Sequence, residues 1–132
     1  LQESADRKEI KIEVEGSPLV FETTKPILEE VVYNLMDNAI KYNREQGNVT
    51  VRIFRKEKQF GFSVKDTGIG IPLIHQDRIF ERFYRVDKSR SKEIGGTGLG
   101  LSIVKHGVSC LGAQISVDSI PDEGSTFTVT WG

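Results

Sequence analysis

The sequence predicts an α/β fold, a two-layer sandwich in which a mixed, mainly antiparallel sheet carries helices on one face. Three observations predict it. Two long stretches have apolar residues at helical spacing, several shorter ones read as strands, and residues typical of turns separate them. The 132 residues suffice for one domain with its own core, and no internal repeat is found.

Six segments are predicted to be strands because they are short, apolar or alternating runs bounded by turn residues. In order they are Ile10–Val14, Leu19–Phe21, Val49–Phe54, Phe60–Val64, Gln114–Asp118 and Thr126–Trp131. The third and fourth would form a hairpin across the charged, weakly structured Arg55–Gln59. The last two would form another around Asp122-Glu123-Gly124.

Two long helices are predicted from the spacing of apolar residues. The first can be capped by Thr23 or Thr24 and is expected to end near Asn43. The second covers about Leu99–Leu111 and ends at Gly112. The residues expected to face the core are Leu28, Val31, Val32, Leu35, Met36 and Ala39 in the first helix, and Leu101, Val104, Val108 and Leu111 in the second.

Composition excludes several classes of function. The net charge of -1, with both signs interspersed, gives no basic surface for DNA or RNA. No apolar run approaches the ~18 residues that a membrane span requires.

The polar residues 1–9, which lack an initiating Met, are expected to be a linker remnant of a longer protein, and residues 10–132 its domain. The single Cys110 is expected to be a buried small hydrophobe in a reducing compartment.

A polar stripe, formed by Asn34, Asn38 and Lys41, flanks the apolar face of the first helix, and Tyr42 lies one turn beyond Asn38. Glu, Lys or Gln would be better helix formers at a solvent surface than asparagine. Amide oxygens can complete a hydrated Mg²⁺ shell, an ammonium can meet phosphate, and a phenol ring can stack on a base. Alternatively, the asparagines are half-buried residues bonded to neighbouring loops.

A carboxylate and two glycines follow the fourth predicted strand, in Asp66-Thr67-Gly68-Ile69-Gly70-Ile71. Glycines let the backbone approach a ligand, while the carboxylate can accept a hydrogen bond from an exocyclic amine such as that of adenine. The alternative is a turn in which Asp66 caps its own loop and the glycines supply positive φ angles.

A second glycine segment, Gly95–Ser102, opens the second helix, where free backbone amides and the helix dipole favour an anion. It is not a Walker loop, because Leu101 stands where the lysine must be. It is not a dinucleotide fingerprint, because the glycines follow a GxGxG pattern and no strand precedes them.

The connection between the glycine segments, about residues 71–95, is long for a compact domain. It contains a short, helix-like aromatic piece, Ile79–Arg85, and then the polar Val86–Lys92. One interpretation is a nucleotide lid whose aromatic residues anchor its base and whose cations reach over phosphates. The other is a solvated run of charges.

Taken in order, four segments resemble the ATP-binding catalytic domain of bacterial sensor histidine kinases. They are NLMDNAIKY, DTGIGI, RIFERFYRVD and GGTGLGLSIVK. This domain belongs to the GHKL superfamily with gyrase, Hsp90 and MutL, and has the Bergerat-type fold. The aromatic lid is similar to that of the PhoR/WalK-like subfamily, which works with OmpR-like response regulators.

The resemblance implies ATP and Mg²⁺ as ligands and assigns catalytic roles. Asn38 would be the principal Mg²⁺ ligand, and Asn34 would assist through water or phosphate. Lys41 would face phosphate, and Arg85, with Arg82 as a second candidate, would steady the γ-phosphate.

The resemblance also implies which residues contact the nucleotide. Asp66 would accept a hydrogen bond from the adenine amine. The other expected contacts are Tyr42, Gly68, Gly70, Ile71, Gly96, Thr97, Gly98, Leu99, Gly100, Leu101 and Thr126.

Asn34 occupies the position at which hydrolysing members of the superfamily carry a water-activating glutamate. An amide cannot act as a general base, so the pocket suits delivery of phosphate to another nucleophile. In the family this is a histidine on a dimerisation helix bundle. Neither His75 nor His106 lies in the His-Glu-x-x-Thr/Asn-Pro setting that the family phosphorylates.

The implied partners are the phosphoacceptor domain of the same protein and an OmpR-like response regulator, within a homodimer. The domain would be the cytoplasmic part of a membrane-anchored bacterial sensor, without direct contact to membrane or nucleic acid. Two alternatives are a nucleotide-binding interaction module without transfer activity and an ATPase of the same superfamily. A serine kinase of the anti-sigma type is disfavoured by the long lid.

Overall fold

The structure, a computed structural model, describes residues 9–16, 23–81 and 100–132. These residues form one five-stranded sheet and three helices. In chain order the elements are β1 (Lys11–Gly16), α1 (Lys25–Lys41), β2 (Asn48–Lys56), β3 (Gln59–Asp66), α2 (Leu73–Gln76), α3 (Gly100–Cys110), β4 (Gln114–Ile120) and β5 (Gly124–Trp131).

The sheet is mixed and mainly antiparallel, as predicted. Its strand order is β1-β2-β3-β5-β4. β1 runs parallel to β2, and the other three pairs are antiparallel. β3 is central, so Asp66 at its end lies opposite Val49 on one neighbour and Ser125 on the other.

The helices form the second layer, and the core lies between the layers. α1 packs against α3 and the central strands. The two helices approach closely at Gly107, where an added Cβ would lie only 2.7 Å from a methyl of Val31. The fully buried large side chains are Val31, Leu35, Ile40, Val49, Val64, Val104, Val108, Phe127 and Val129. No helix among the described residues is long and apolar enough to cross a membrane.

The β2–β3 hairpin is longer than predicted. Arg55 pairs with Phe60 and Lys56 with Gln59, which leaves a two-residue turn that begins at Glu57, with a φ of 55°. The prediction of a weakly structured Arg55–Gln59 was therefore wrong, because cross-strand pairing continues through charged residues whose side chains reach solvent.

Both long helices are confirmed, with small differences at their ends. Thr24 occupies the N-cap position of α1, but its side chain makes no capping hydrogen bond. Gly112 follows α3 with a φ of 71°, and the next amide, that of Ala113, bonds to the carbonyl of Val108 at 3.0 Å. Cys110 is exposed, so its predicted burial was wrong: it lies on the face of α3 that turns away from the sheet.

The beginning of the predicted lid packs on the domain. α2 is a single turn, and Ile79 is buried behind it. The ring of Phe80 meets Phe127 edge-on, with centroids 6.2 Å apart. Residues 79–81 form a turn rather than the helix-like start expected. The rest of the lid and the predicted strand Leu19–Phe21 lie outside the described residues.

Candidate functional site

Asp66 is a buried carboxylate at the end of the central strand, with only 4% of its surface exposed. Its Oδ1 accepts hydrogen bonds from the amides of Gly68, at 2.8 Å, and Ser125, at 3.3 Å. Burial raises the pKa of Asp66 to about 6, while the two amides lower it. Both bonds go to Oδ1, so within the described part of the chain Oδ2 is available to a donor from a ligand.

The bond to Gly68 closes the turn that the alternative interpretation expected. Asp66 therefore caps its own loop and still presents a second oxygen, so one side chain satisfies both interpretations. We call residues Asp66–Ile71 the Asp66 loop. Two groups of polar side chains hold it, one on each flank.

On one flank, Asn43 ties the end of α1 to the Asp66 loop. Its Oδ1 accepts from the hydroxyl of Thr67 at 3.0 Å, and its Nδ2 donates to the carbonyl of Asn48 at 2.9 Å. The Thr67 oxygen in turn accepts from the amide of Asn48 at 2.9 Å. The backbone adds a bond from the Ile69 amide to the Tyr42 carbonyl at 3.1 Å.

On the other flank, serines of the β4–β5 hairpin hold the loop. The hydroxyl of Ser119 accepts from the amide of Ile71 at 2.7 Å and lies 2.7 Å from the hydroxyl of Ser125. Gln76 donates to the carbonyls of Ile71 and Ser119, at 2.9 and 3.2 Å. The backbone of Ile71 is therefore bonded through both its amide and its carbonyl.

The glycines of the Asp66 loop allow close backbone contacts. A Cβ on Gly68 would lie 2.2 Å from the carbonyl oxygen of Tyr42. Gly70 has a φ of 72°, and a Cβ there would lie 2.2 Å from the carbonyl oxygen of Ile120. Any side chain at either position would displace the loop from its flanks.

The polar stripe of Asn34, Asn38 and Lys41 is half-buried on α1. Asn34 donates from Nδ2 to the carbonyl of Glu30 at 2.8 Å, which leaves its Oδ1 as an acceptor. That oxygen faces α3, since it would lie 3.6 Å from a Cβ added to Gly100. Asn38 makes no side-chain hydrogen bond within the described ranges, and Lys41 forms an ion pair with Asp37 at 3.0 Å.

The amide oxygens of the polar stripe fit a magnesium ion that is held mainly by a nucleotide. The described residues contain no cluster of three or more His, Cys, Asp or Glu that could hold a metal alone. Mg²⁺ is instead commonly bound by one or two protein oxygens, several waters and phosphate oxygens. The amide oxygens of Asn38 and Asn34 can supply such ligands without charge.

Thr126, a predicted nucleotide contact, and its neighbour Ser125 lie on opposite faces of β5. Exposure alternates along β5, so Ser125 and Phe127 are buried while Thr126 is half-exposed. Thr126 pairs with Lys65 and therefore lies on the sheet face opposite Asp66. Ser125 pairs with Asp66 and lies on the same face as that carboxylate, while the role of Thr126 stays a prediction.

The remaining predicted site residues divide into two sets. Tyr42, Gly100, Leu101 and Ile71 are half-buried, and Leu101 and Ile71 pack against the core. The predicted residues outside the described ranges are Arg82, Arg85, Gly96, Thr97, Gly98 and Leu99.

Comparison with known proteins identifies the family and its fold. Residues 23–132 match the family described as histidine kinase-, DNA gyrase B-, and HSP90-like ATPase. The chain belongs to this family. It is 42% identical over 119 residues to the phosphate regulon sensor protein PhoR of Pseudomonas aeruginosa, covering 89% of this chain and 27% of that protein. It is 44% identical over 114 residues to the sensor histidine kinase WalK of Bacillus subtilis, covering 85% and 19%.

Solved structures of histidine kinases have the same fold. The mycobacterial sensor histidine kinase MprB superposes with a TM-score of 0.80 at 29% identity, covering 98% of this chain and 91% of that one. Full-length ShkA in complex with AMPPNP superposes with a TM-score of 0.80 at 30% identity, covering 97% and 26%. The chain is an ATP-binding catalytic domain of the sensor histidine kinase type, as its resemblance implied.

Sequence reasoning missed three residues that support the site: Asn43, Ser119 and Ser125. Asn43 directly follows the NLMDNAIKY segment, and Ser125 directly precedes Thr126, the predicted nucleotide contact. Alternation along the last strand places Ser125 on its buried face, so a search for polar residues on such faces would have found it. Nothing in the local sequence distinguishes Ser119 from the exposed serines.

Proposed function

We propose that this chain binds Mg²⁺–ATP and transfers the γ-phosphoryl group to a histidine on a neighbouring dimerisation domain. The observation that carries the proposal is the placement of the Asp66 loop against the end of α1. It brings a buried carboxylate acceptor close to the second half of α1, which carries a cation and two amide oxygens that no described residue contacts.

The Asp66 loop would bind the base. Oδ2 of Asp66 can accept from the exocyclic amine of adenine, whereas guanine has a carbonyl at that position and cannot donate. Because the loop is bonded on both flanks before any ligand arrives, little ordering is required when the base binds. This supports specificity for adenine.

The polar stripe would bind the phosphates and the ion. Asn38 would hold Mg²⁺, Asn34 would assist through water or phosphate, and Lys41 would exchange some of its contact with Asp37 for phosphate. When bound, the ion would neutralise charge on the phosphates. According to the resemblance, Arg85 and the glycines before Gly100, which lie outside the described residues, would complete this side.

Transfer is favoured over hydrolysis because Asn34 cannot remove a proton from water. Its amide nitrogen donates to the carbonyl of Glu30 and its oxygen faces α3, and neither atom can act as a base. Catalysis would then rest on positioning and on stabilisation of charge around the transferred group.

The chain covers 27% of the PhoR relative and 19% of the WalK relative, so the whole protein's partners are also proposals. We infer a homodimeric sensor with a phosphoacceptor helix bundle and an OmpR-like response regulator. We also infer that the domain is cytoplasmic in a membrane-anchored bacterial protein.

A reconstituted transfer reaction tests the proposal. This chain would be mixed with labelled ATP, Mg²⁺ and a purified dimerisation domain of a PhoR- or WalK-type kinase. We expect acid-labile phosphate on that domain's histidine, and none on His75 or His106 when the chain is alone. Label on His75 or His106, or rapid ATP hydrolysis abolished by Asp66→Asn, would contradict it. Calorimetry with ATP and GTP provides the control for adenine specificity.

A further inference from the structure

The polar group around Asn43 and Thr67 lies between the two parts of the proposed site. Asn43 is two residues beyond Lys41 of the polar stripe, and Thr67 directly follows Asp66. Their side chains meet at 3.0 Å. We propose that Asn43 and Thr67 are a positioning pair, which sets the separation of the Asp66 loop from the polar stripe so that one ATP molecule can reach both. This inference rests on the proposed function.

The burial of Asn43 indicates that its hydrogen bond with Thr67 is a specific feature of the fold. Asn43 is 7% exposed, although an asparagine at the end of a helix is usually solvated. Its Oδ1 accepts from the Thr67 hydroxyl and from the Arg44 amide, the latter at 2.9 Å, and its Nδ2 donates to the Asn48 carbonyl. A buried amide with each of its polar atoms bonded has one favourable orientation.

The Thr67 hydroxyl completes the connection. It donates to Asn43 and accepts from the amide of Asn48 at 2.9 Å. Asn48 begins β2, so the hydroxyl joins the end of α1, the start of β2 and the Asp66 loop at one point. A Cβ on Gly47 would lie 2.7 Å from this hydroxyl and 2.3 Å from the Asn43 oxygen, so the chain is closely packed around the pair.

A ligand that spans two subsites binds more tightly than its parts only when the subsites have the correct separation. Loss of the pair should therefore weaken ATP more than it weakens either half of ATP. A residue that merely shaped the base pocket would affect adenosine as strongly as ATP.

The test compares Thr67→Val, which removes the hydroxyl at nearly constant shape, with Thr67→Ser, which keeps it. Binding of ATP, adenosine and tripolyphosphate, each with Mg²⁺, would be measured by NMR titration of this chain. For the valine variant we expect about tenfold weaker ATP binding, with adenosine and tripolyphosphate changed less than about twofold. The serine variant should resemble the wild type.

Several results would overturn the inference. They are unchanged ATP affinity in Thr67→Val, an equal loss for adenosine and ATP, or the same loss in the serine variant. If the valine variant does not fold, Thr67→Ala is measured instead, and unfolding of both would assign the pair to stability alone. Absence of ATP binding by the wild type would refute the proposed function and this inference with it.

Discussion

The Asp66 loop and the polar stripe are built in opposite ways. Asp66 and the residues that flank its loop, Asn43 and Ser125, are between 4% and 7% exposed, and all three make hydrogen bonds within the chain. Asn34 and Asn38 are half-buried and keep acceptor oxygens that no described residue occupies. The Asp66 loop is bonded by the protein on both flanks, whereas the two amide oxygens of the stripe have no partner among the described residues.

The difference has a chemical reason. A neutral base is recognised by directional hydrogen bonds in a dry pocket, so a preformed acceptor improves selectivity. Phosphates and a hydrated ion carry their own charges and waters, so they need accessible donors and acceptors more than burial. The predictions that follow test this contrast, from the largest expected effect to the smallest.

Asn38→Ala should reduce phosphoryl transfer to an acceptor domain by about 100- to 1,000-fold, because under the proposed function it removes an oxygen that would hold Mg²⁺. The free energy of unfolding should change by less than about 0.5 kcal/mol, since Asn38 makes no side-chain bond in the described residues. Transfer assays and urea denaturation measure the two quantities. Glu29→Ala, on the exposed face of α1, is the matched control. Wild-type transfer would place the metal role elsewhere.

Gly70→Ala and Gly112→Ala separate crowding from backbone strain. Their φ angles are 72° and 71°, but a Cβ at Gly70 would meet the Ile120 carbonyl at 2.2 Å, whereas nothing lies within 4 Å at Gly112. For Gly112→Ala we expect the unfolding free energy to fall by about 1 kcal/mol, because of the positive φ alone. For Gly70→Ala we expect a further loss of about 2–3 kcal/mol, because the new methyl group is also crowded. Equal losses in denaturation would show that the Asp66 loop is not tightly held.

Asp66→Asn should weaken ATP binding by about 1–3 kcal/mol, because an amide nitrogen or a weaker acceptor replaces Oδ2. GTP binding, already weak, should change little. Calorimetry of both nucleotides with the wild type and the variant measures the effect. Equal affinity of the wild type for ATP and GTP would refute the assignment of adenine to Asp66.

The same variant should change the pH dependence of stability in the ligand-free domain. The folded pKa of Asp66, about 6, lies above its ordinary value of 3.8, so the folded state binds the proton more tightly than the unfolded state. The protonated Asp66 carboxyl group contributes fully to the unfolding free energy below about pH 4, and this contribution is lost as the pH rises through 6. Asp66→Asn should therefore gain about 2–3 kcal/mol in unfolding free energy relative to the wild type between pH 4 and 7, as measured by denaturation at several pH values. A constant difference would contradict the burial of an ionisable group.

Local pattern predicted most elements and the position of the polar stripe on α1. The apolar spacing on α1 predicted its buried face, and the Asn34–Asn38–Lys41 stripe was found at its flank. The hairpins were predicted too short, because charged residues in Arg55–Gln59 pair across strands with their side chains in solvent. Cys110 was predicted to be buried because its neighbours are apolar, but burial depends on which face of α3 meets the sheet.

Sequence by itself determined most of the helices and strands and the order of the motifs, because spacing and turn chemistry are local properties. Only the tertiary structure decided which of the adjacent residues Ser125 and Thr126 lies beside Asp66, since strand register places Ser125 on that face and Thr126 on the other. It also decided that Asn43 meets Thr67, a contact between residues 24 positions apart that forms only when α1, β2 and β3 have packed together.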